Sequence, residues 1–167
     1  MDYNPLRVQR VRENVPSAFV MQGNLLNLPL ENDSIDIIWC SQVLEHISDD
    51  LAVLKGFWCV LKEKGILIIG VPNEGCFLAQ LRNKVLQPYI LRTTDHVRFY
   101  TEQKMSERLV ATGFKIQQVW RQLFFTPHLR LHKLILRFEY GYKVLRILGR
   151  MWKSQAAGLY FVCTVDK

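Results

Sequence analysis

Apolar positions along the chain fall into two rhythms. Ile35-Asp36-Ile37-Ile38-Trp39-Cys40 and Gly65-Ile66-Leu67-Ile68-Ile69-Gly70-Val71 are short, β-branched and nearly continuous in apolarity. That is the pattern of strands buried on both faces. Ala18-Phe19-Val20-Met21, Phe114 to Trp120 and Leu159 to Val165 read as three more strands. Between the strands the period lengthens. Leu51, Leu54, Trp58 and Leu61 follow at 3-4-3 spacing, one face of a helix, with Ser48 as its N-cap and Asp49 and Asp50 in the first turn. Thr101 caps a further helix carrying Met105, Leu109 and Val110, and Gly113 is its natural C′ residue. Arg7 to Asn14 is polar and helix-compatible, with Pro5 near its start, where proline is tolerated, and Pro16 beyond its end. Strands alternating with amphipathic helices predict a single α/β domain over residues 1–167, built on a mostly parallel sheet with helices on both faces.

One stretch breaks the alternation. Pro127 to Lys153, a helical insertion at 126–154 before the last strand, holds Arg130, Lys133, Arg137, Lys143, Arg146, Arg150 and Lys153 against one acid, Glu139. Most of the chain's net charge of +7 therefore sits here. Leu131, Leu134, Ile135, Phe138, Tyr142, Leu145 and Trp152 fall near one helical face, and Gly141 and Gly149 are weak points in that helix. Three readings are open: a lid or packed helix over the substrate site, an interfacial helix on anionic lipid, or a phosphate-binding nucleic-acid surface. No RNA-binding motif accompanies the charge, which weighs against nucleic acid.

Composition narrows the class. With 167 residues, 49% hydrophobic and 22% charged, the chain is an ordinary globular domain rather than a disordered or fibrous one. No apolar run reaches the ~18–20 residues of a bilayer span. Met1-Asp2-Tyr3-Asn4-Pro5 lacks the basic-then-apolar build of a secretory signal. Cys40, Cys59, Cys76 and Cys163 form no CxxC pair and read as reduced, buried thiols of a cytoplasmic protein.

Three segments carry a family likeness in their order and spacing: Asn27-Leu28-Pro29-Leu30-Glu31-Asn32-Asp33-Ser34-Ile35-Asp36-Ile37-Ile38-Trp39-Cys40, then Ser41-Gln42-Val43-Leu44-Glu45-His46-Ile47, then Val60-Leu61-Lys62-Glu63-Lys64-Gly65-Ile66-Leu67-Ile68-Ile69-Gly70-Val71-Pro72-Asn73. Together they resemble the class I S-adenosylmethionine-dependent methyltransferases, in which a "LPF…SFD" loop enters the fourth strand, "VLEH" follows it and "VLKPGG" precedes the fifth. His96-Val97-Arg98-Phe99-Tyr100-Thr101 and Thr112-Gly113-Phe114 look like the family's downstream elements. The resemblance implies a Rossmann-like α/β fold and S-adenosylmethionine as cofactor. It also implies a small-molecule acceptor such as a quinone, phenol or lipid-linked sugar hydroxyl.

By the same resemblance Asp2 is the acid at the end of the family's second strand, whose carboxylate accepts hydrogen bonds from the cofactor's ribose hydroxyls. Tyr3 flanks the adenine. Asn24 stands where the family usually has Asp, Leu25 lies beside the adenine ring, and Cys40 and Ser41 face the methionine part. The family's first strand, GxGxG turn and first helix are expected before Asp2, and none of the nine glycines forms a GxG. The fold is therefore expected to be N-terminally incomplete, as in a fragment, a degenerate copy or a chain needing a complementing partner. Unaided cofactor binding is expected to be weak, and a non-catalytic methyltransferase-like binding or scaffold protein is the alternative function. Without the first two strands, the outer edge of 35–40 is expected to present unpaired backbone groups.

The remaining chemistry is acidic and imidazole. Glu45-His46 follows the fourth strand at the rim where substrate sits, and Asp95-His96 lies in the segment that returns to that rim. Methyl transfer needs a positioned nucleophile and removal of its proton, and a near-neutral His suits that. Glu45, His46 and His96 are the candidate catalytic residues. Some relatives carry E-x-x-E-H here and bind a divalent cation, but Gln42 replaces the first Glu, a poor set for a hard ion. No metal is expected.

Overall fold

The computed structural model describes residues 1–167. Its elements are helix α1 (Pro5–Asn14), strand β1 (Ile35–Ser41), helix α2 (Asp50–Val60), strand β2 (Leu61–Pro72), helices α3 (Phe77–Leu81), α4 (Ile90–Thr93) and α5 (Glu102–Ala111), strand β3 (Phe114–Phe124), helices α6 (Leu129–Leu136) and α7 (Glu139–Met151), and strand β4 (Ala156–Val165). Strand order is β1-β2-β4-β3. β1 and β2 pair in parallel; β4 is antiparallel to both its neighbours, so β3 points the same way as β1 and β2. Three of the four strands therefore share one direction, the mostly parallel sheet expected, with β4 alone reversed. The chain returns from β3 through α6 and α7 to lay β4 back between β2 and β3, and that return reverses its direction.

Local chemistry explains the helix starts. Asn4 caps α1 by accepting the Leu6 N–H, with Pro5 at the first helical position. Thr101 caps α5 by accepting from Lys104. The cap of α2 is Asp49, which accepts the Ala52 N–H, rather than Ser48. Leu61, counted on that helix's face, begins β2 instead.

Val53, Leu54 and Phe57 of α2 and Met105 and Leu109 of α5 bury one face of the sheet, packing with Leu67, Ile69, Val71, Leu159, Phe161 and Cys163. Each such side chain contributes ~1.5–3 kcal/mol relative to exposure. Asp50, buried in α2, accepts from the Tyr100 hydroxyl and from Arg108, both at 2.7 Å, and so ties α2 to α5. Across the opposite face Ile37, Trp39 and Trp120 stay exposed, so the helical cover expected on both faces is continuous on one only.

One expected strand does not form. Ala18–Met21 makes no strand, and Phe19 stands 88% exposed. Its Met21 carbonyl accepts the Asp2 N–H beside the Asp2–Gln22 bridge, and its Val20 carbonyl accepts from Arg12 of α1, but no strand pairs with it. A strand without a ladder partner loses the hydrogen bonds that would offset its ordering. In keeping with this, β1 is the edge of the sheet. Of the thiols, Cys40, Cys76 and Cys163 are buried but Cys59 is exposed.

The basic insertion is two helices, and the break falls at Arg137–Phe138 rather than at a glycine. Both glycines mark close contacts. A Cβ at Gly141 would strike the Ile135 carbonyl, and one at Gly149 would strike the Leu123 backbone on β3. Of the expected apolar face only Leu145 is buried. Leu131, Leu134, Phe138, Tyr142 and Trp152 are exposed.

Candidate functional site

A cavity of about 790 Å³ opens beside the carboxyl half of β1, within the ~300–1,000 Å³ of small-molecule sites. Ligands of open α/β sheets bind at such strand ends. Asp2, Tyr3, Asn24, Leu25, Cys40 and Ser41 all line it. The chain start is drawn in by two backbone bonds: the Asp2 N–H donates to the Met21 carbonyl at 3.3 Å, and the Gly23 N–H donates to the Asp2 carbonyl at 3.1 Å. Residues far apart in sequence therefore converge on one wall.

Asp2 Oδ1 accepts the Asn4 N–H at 2.8 Å, and its other oxygen lies 3.8 Å from Arg7. Asn24 Oδ1 accepts the Leu26 N–H at 3.0 Å, so the side chain shapes its own turn and keeps one lone pair and its amide hydrogens for a ligand. Burial, and secondarily Glu45, pushes the Cys40 thiol up to about 12. Cys40 is a neutral wall rather than a nucleophile. The Ser41 hydroxyl sits 3.0 Å from that of Tyr160. Tyr160 lies across β2 only because Gly70 has no side chain; a Cβ there would collide with the ring. Gln42 also lines the cavity, in the left-handed region at φ 55°, where a non-glycine residue is uncommon.

The Asp2 carboxylate, the Asn24 amide with its free hydrogens, Leu25 and Tyr3 surround one cavity, a donor–acceptor and apolar set of the kind a nucleoside needs.

His46 lines the same cavity, with Asp95 beside it. His46 Nδ1 is 3.2 Å from Asp95 Oδ1, and His96 Nδ1 is 2.6 Å from Glu74 Oε2. His96 is thus hydrogen-bonded to a carboxylate at Nδ1, while His46 has Asp95 near its Nδ1 and Glu45 Oε1 3.9 Å from its Nε2. The two rings meet edge to face, centroids 4.8 Å apart. Glu45 is only 1% exposed, yet its Oε2 has no hydrogen-bond partner. Burial is the main cause that raises its pKa. Its backbone carbonyl accepts from Val97 and Arg98, which pins the His96 segment to the short turn Leu44–His46. Glu45, His46 and His96 offer ligand atoms within 4.8 Å of one another.

Sequence reasoning missed Glu74. It is buried, paired with Arg82 at 3.0 Å, and orients His96. It carries no periodic signal, and its partner lies 22 residues away. Tyr160 was equally hidden, one polar tip in an alternating strand.

With this geometry in hand, comparison with known proteins is informative. The family model described as "Methyltransferase domain" matches residues 1–69. A protein of Mycobacterium tuberculosis described as a "probable S-adenosylmethionine-dependent methyltransferase" is 31% identical over 130 residues, 78% of this chain and 44% of its own length. One of Mycolicibacterium smegmatis, similarly described, is 29% identical over 117 residues, covering 70% of this chain and 43% of its own. The chain thus spans less than half the length of these relatives. Among solved structures, an S-adenosylmethionine-dependent methyltransferase from Mesorhizobium loti superposes with a TM-score of 0.68 at 16% identity, over 97% of this chain and 77% of that one. This last likeness speaks to fold alone.

Proposed function

We propose that this chain, which belongs to the class I S-adenosylmethionine-dependent methyltransferases, carries the acceptor-activating half of a methyl-transfer site together with the nucleoside wall of its cofactor site. The observation that carries the reading is convergence: the six cofactor-wall residues and His46 line one cavity although they come from four separate stretches of chain. When bound, S-adenosylmethionine supplies the electrophilic methyl group on its sulfonium. Asp2 receives the ribose hydroxyls, Asn24 and Leu25 border the adenine with Tyr3 at the mouth, and Cys40 and Ser41 flank the methionine part.

The acceptor is a hydroxyl-bearing small molecule, a quinone, phenol or lipid-linked sugar. His46 Nε2 takes the acceptor's proton as the nucleophile attacks, and Asp95 at Nδ1 stabilises the resulting imidazolium. His96, held by Glu74, positions His46 or shares the proton.

The test combines binding and turnover. Asp2→Ala is expected to weaken calorimetric binding of S-adenosylmethionine roughly tenfold or more, the worth of one charged hydrogen bond. His46→Ala leaves that affinity unchanged but lowers turnover roughly 10²–10⁴-fold. Near-normal turnover in both His46→Ala and His96→Ala defeats the base assignment. Loss of activity on chelation, restored by Mn²⁺ or Zn²⁺, replaces it with a cation held by Glu45, His46 and His96, a reading their clustering favours. A chain that binds the cofactor and transfers nothing to any hydroxyl acceptor is the non-catalytic relative.

A further inference from the structure

Helix α7 carries more apolar surface than the sheet can use. Leu145 and Gly149 face inward and are buried against the body of the domain. Tyr140, Val144, Ile147 and Met151, spaced 4-3-4, form a second stripe, and all four are exposed, Tyr140 to 81%. At 100° per residue this stripe lies well round the helix from the buried one. Between the two runs a row of cations, Lys143, Arg146 and Arg150. Lys143 pairs with Glu139 at 2.8 Å. Arg146 and Arg150 make no ion pair or hydrogen bond, and neither does Lys153 just beyond. These three line a groove of about 440 Å³ against β3, with Trp120 and Tyr142 as its apolar walls. Helix α6 extends the surface, for none of its residues is buried and Leu131 and Leu134 stand exposed.

We infer that α6 and α7 dock on an anionic phospholipid surface. The apolar stripe enters the boundary between headgroups and acyl chains, while Arg146, Arg150 and Lys153 take lipid phosphates over the groove. Charge complementarity selects this occupant. The unpaired cations border the apolar stripe along its length, which suits a plane that is apolar below and anionic above. A protein partner would need acids threaded beside its apolar contacts, and a nucleic acid would leave the apolar stripe wet. No helix of the chain is long and apolar enough to cross a membrane, so the contact is peripheral. The inference is independent of the methyl-transfer reading, because none of these residues lines that cavity.

Vesicle flotation of the intact chain tests it. The chain is expected to float with mixed phosphatidylglycerol–phosphatidylcholine vesicles, to stay behind with pure phosphatidylcholine, and to be released by high salt. R146E/R150E is expected to lower partitioning by roughly tenfold or more, and I147E/M151E to abolish it. These side chains are exposed, so the melting temperature holds; the milder I147S/M151S serves if the charged pair misfolds. Equal flotation on pure phosphatidylcholine overturns the inference. So does competition by inorganic phosphate with I147E/M151E behaving as wild type, which makes the groove a small-anion site. Tighter binding of an RNA oligonucleotide than of vesicles overturns it in favour of nucleic acid. A dimer that I147E/M151E dissociates assigns the stripe to a second copy instead.

Discussion

The rim of the cavity and the α6–α7 insertion handle charge in opposite ways. Beside the rim Glu74 is buried and paired with Arg82 and His96, as Asp50, deeper between α2 and α5, is with Tyr100 and Arg108. On the insertion, Arg146, Arg150 and Lys153 stand in solvent without partners, and the one acid pairs only with Lys143. A buried pair carries a desolvation penalty that its geometry must offset, so its members are fixed in place and serve to position something. An exposed cation costs little to maintain and is free to attract something from outside. The same residue type is thus a brace in one region and a lure in the other.

The sharpest way to break this contrast is to delete one arginine from each region. Arg82→Ala leaves Glu74 buried without its counter-ion and is expected to destabilise the fold by ~3–5 kcal/mol. It also removes a guanidinium stacked 4.6 Å from the Phe125 ring. Arg146→Ala is expected to change stability by less than ~0.5 kcal/mol. Urea unfolding of the two variants decides the matter, and equal losses would erase the distinction.

A smaller effect separates Glu45 from the paired acids. Burial raises its pKa in the folded state, so the native protein holds this proton more tightly than the unfolded chain does. Stability is then lost as pH rises from the unfolded carboxyl value of ~4.3 through the raised folded value. Glu45→Gln cannot ionise and is expected to flatten that decline, gaining on wild type toward neutral pH. Urea midpoints measured from acid to neutral pH check it, and parallel curves for the two proteins count against a strained carboxyl. Smallest of all is the Glu139–Lys143 pair on the outer surface of α7. Lys143→Ala is expected to cost ~0.3–0.5 kcal/mol, a loss that salt removes. A larger loss in the same urea assay would mean that charge on the insertion has a bracing role after all.

Sequence pattern reached the covered half of this molecule well and the open half poorly, for a physical reason. Ile66 to Val71 and Leu159 to Val165 declare themselves because burial demands an apolar residue at each core position, Ile35 to Cys40 by its β-branched run although Ile37 and Trp39 stay exposed, and α2 and α5 by period and cap. Lys62-Glu63-Lys64 reads as a turn, yet it lies within β2, where Lys64 takes a left-handed φ of 61°. Polar residues carry no burial signal by which to extend a strand. In the insertion, seven apolar side chains near one helical face left a lid or packed helix, an interfacial helix and a nucleic-acid surface all open, because periodicity reports amphipathicity and not what covers it. At the site, His46 and His96 were visible by motif. Glu74 was not, since its role arises from a contact that only the folded chain creates.

The position of β4 has a consequence for how the molecule assembles. β4 is the final strand in chain order, yet it lies inside the sheet, and β3 touches the rest of the ladder only through it. A chain emerging from the ribosome can zip β1 onto β2 early. β3 then waits, its backbone unanswered, while both helices of the insertion are made. The sheet closes from its middle in one late, long-range event, the kind of step that is slow and leaves edges open to wrong partners. Synthesis halted before Ala156 would leave the β1–β2 ladder and a lone β3 with nothing to join them.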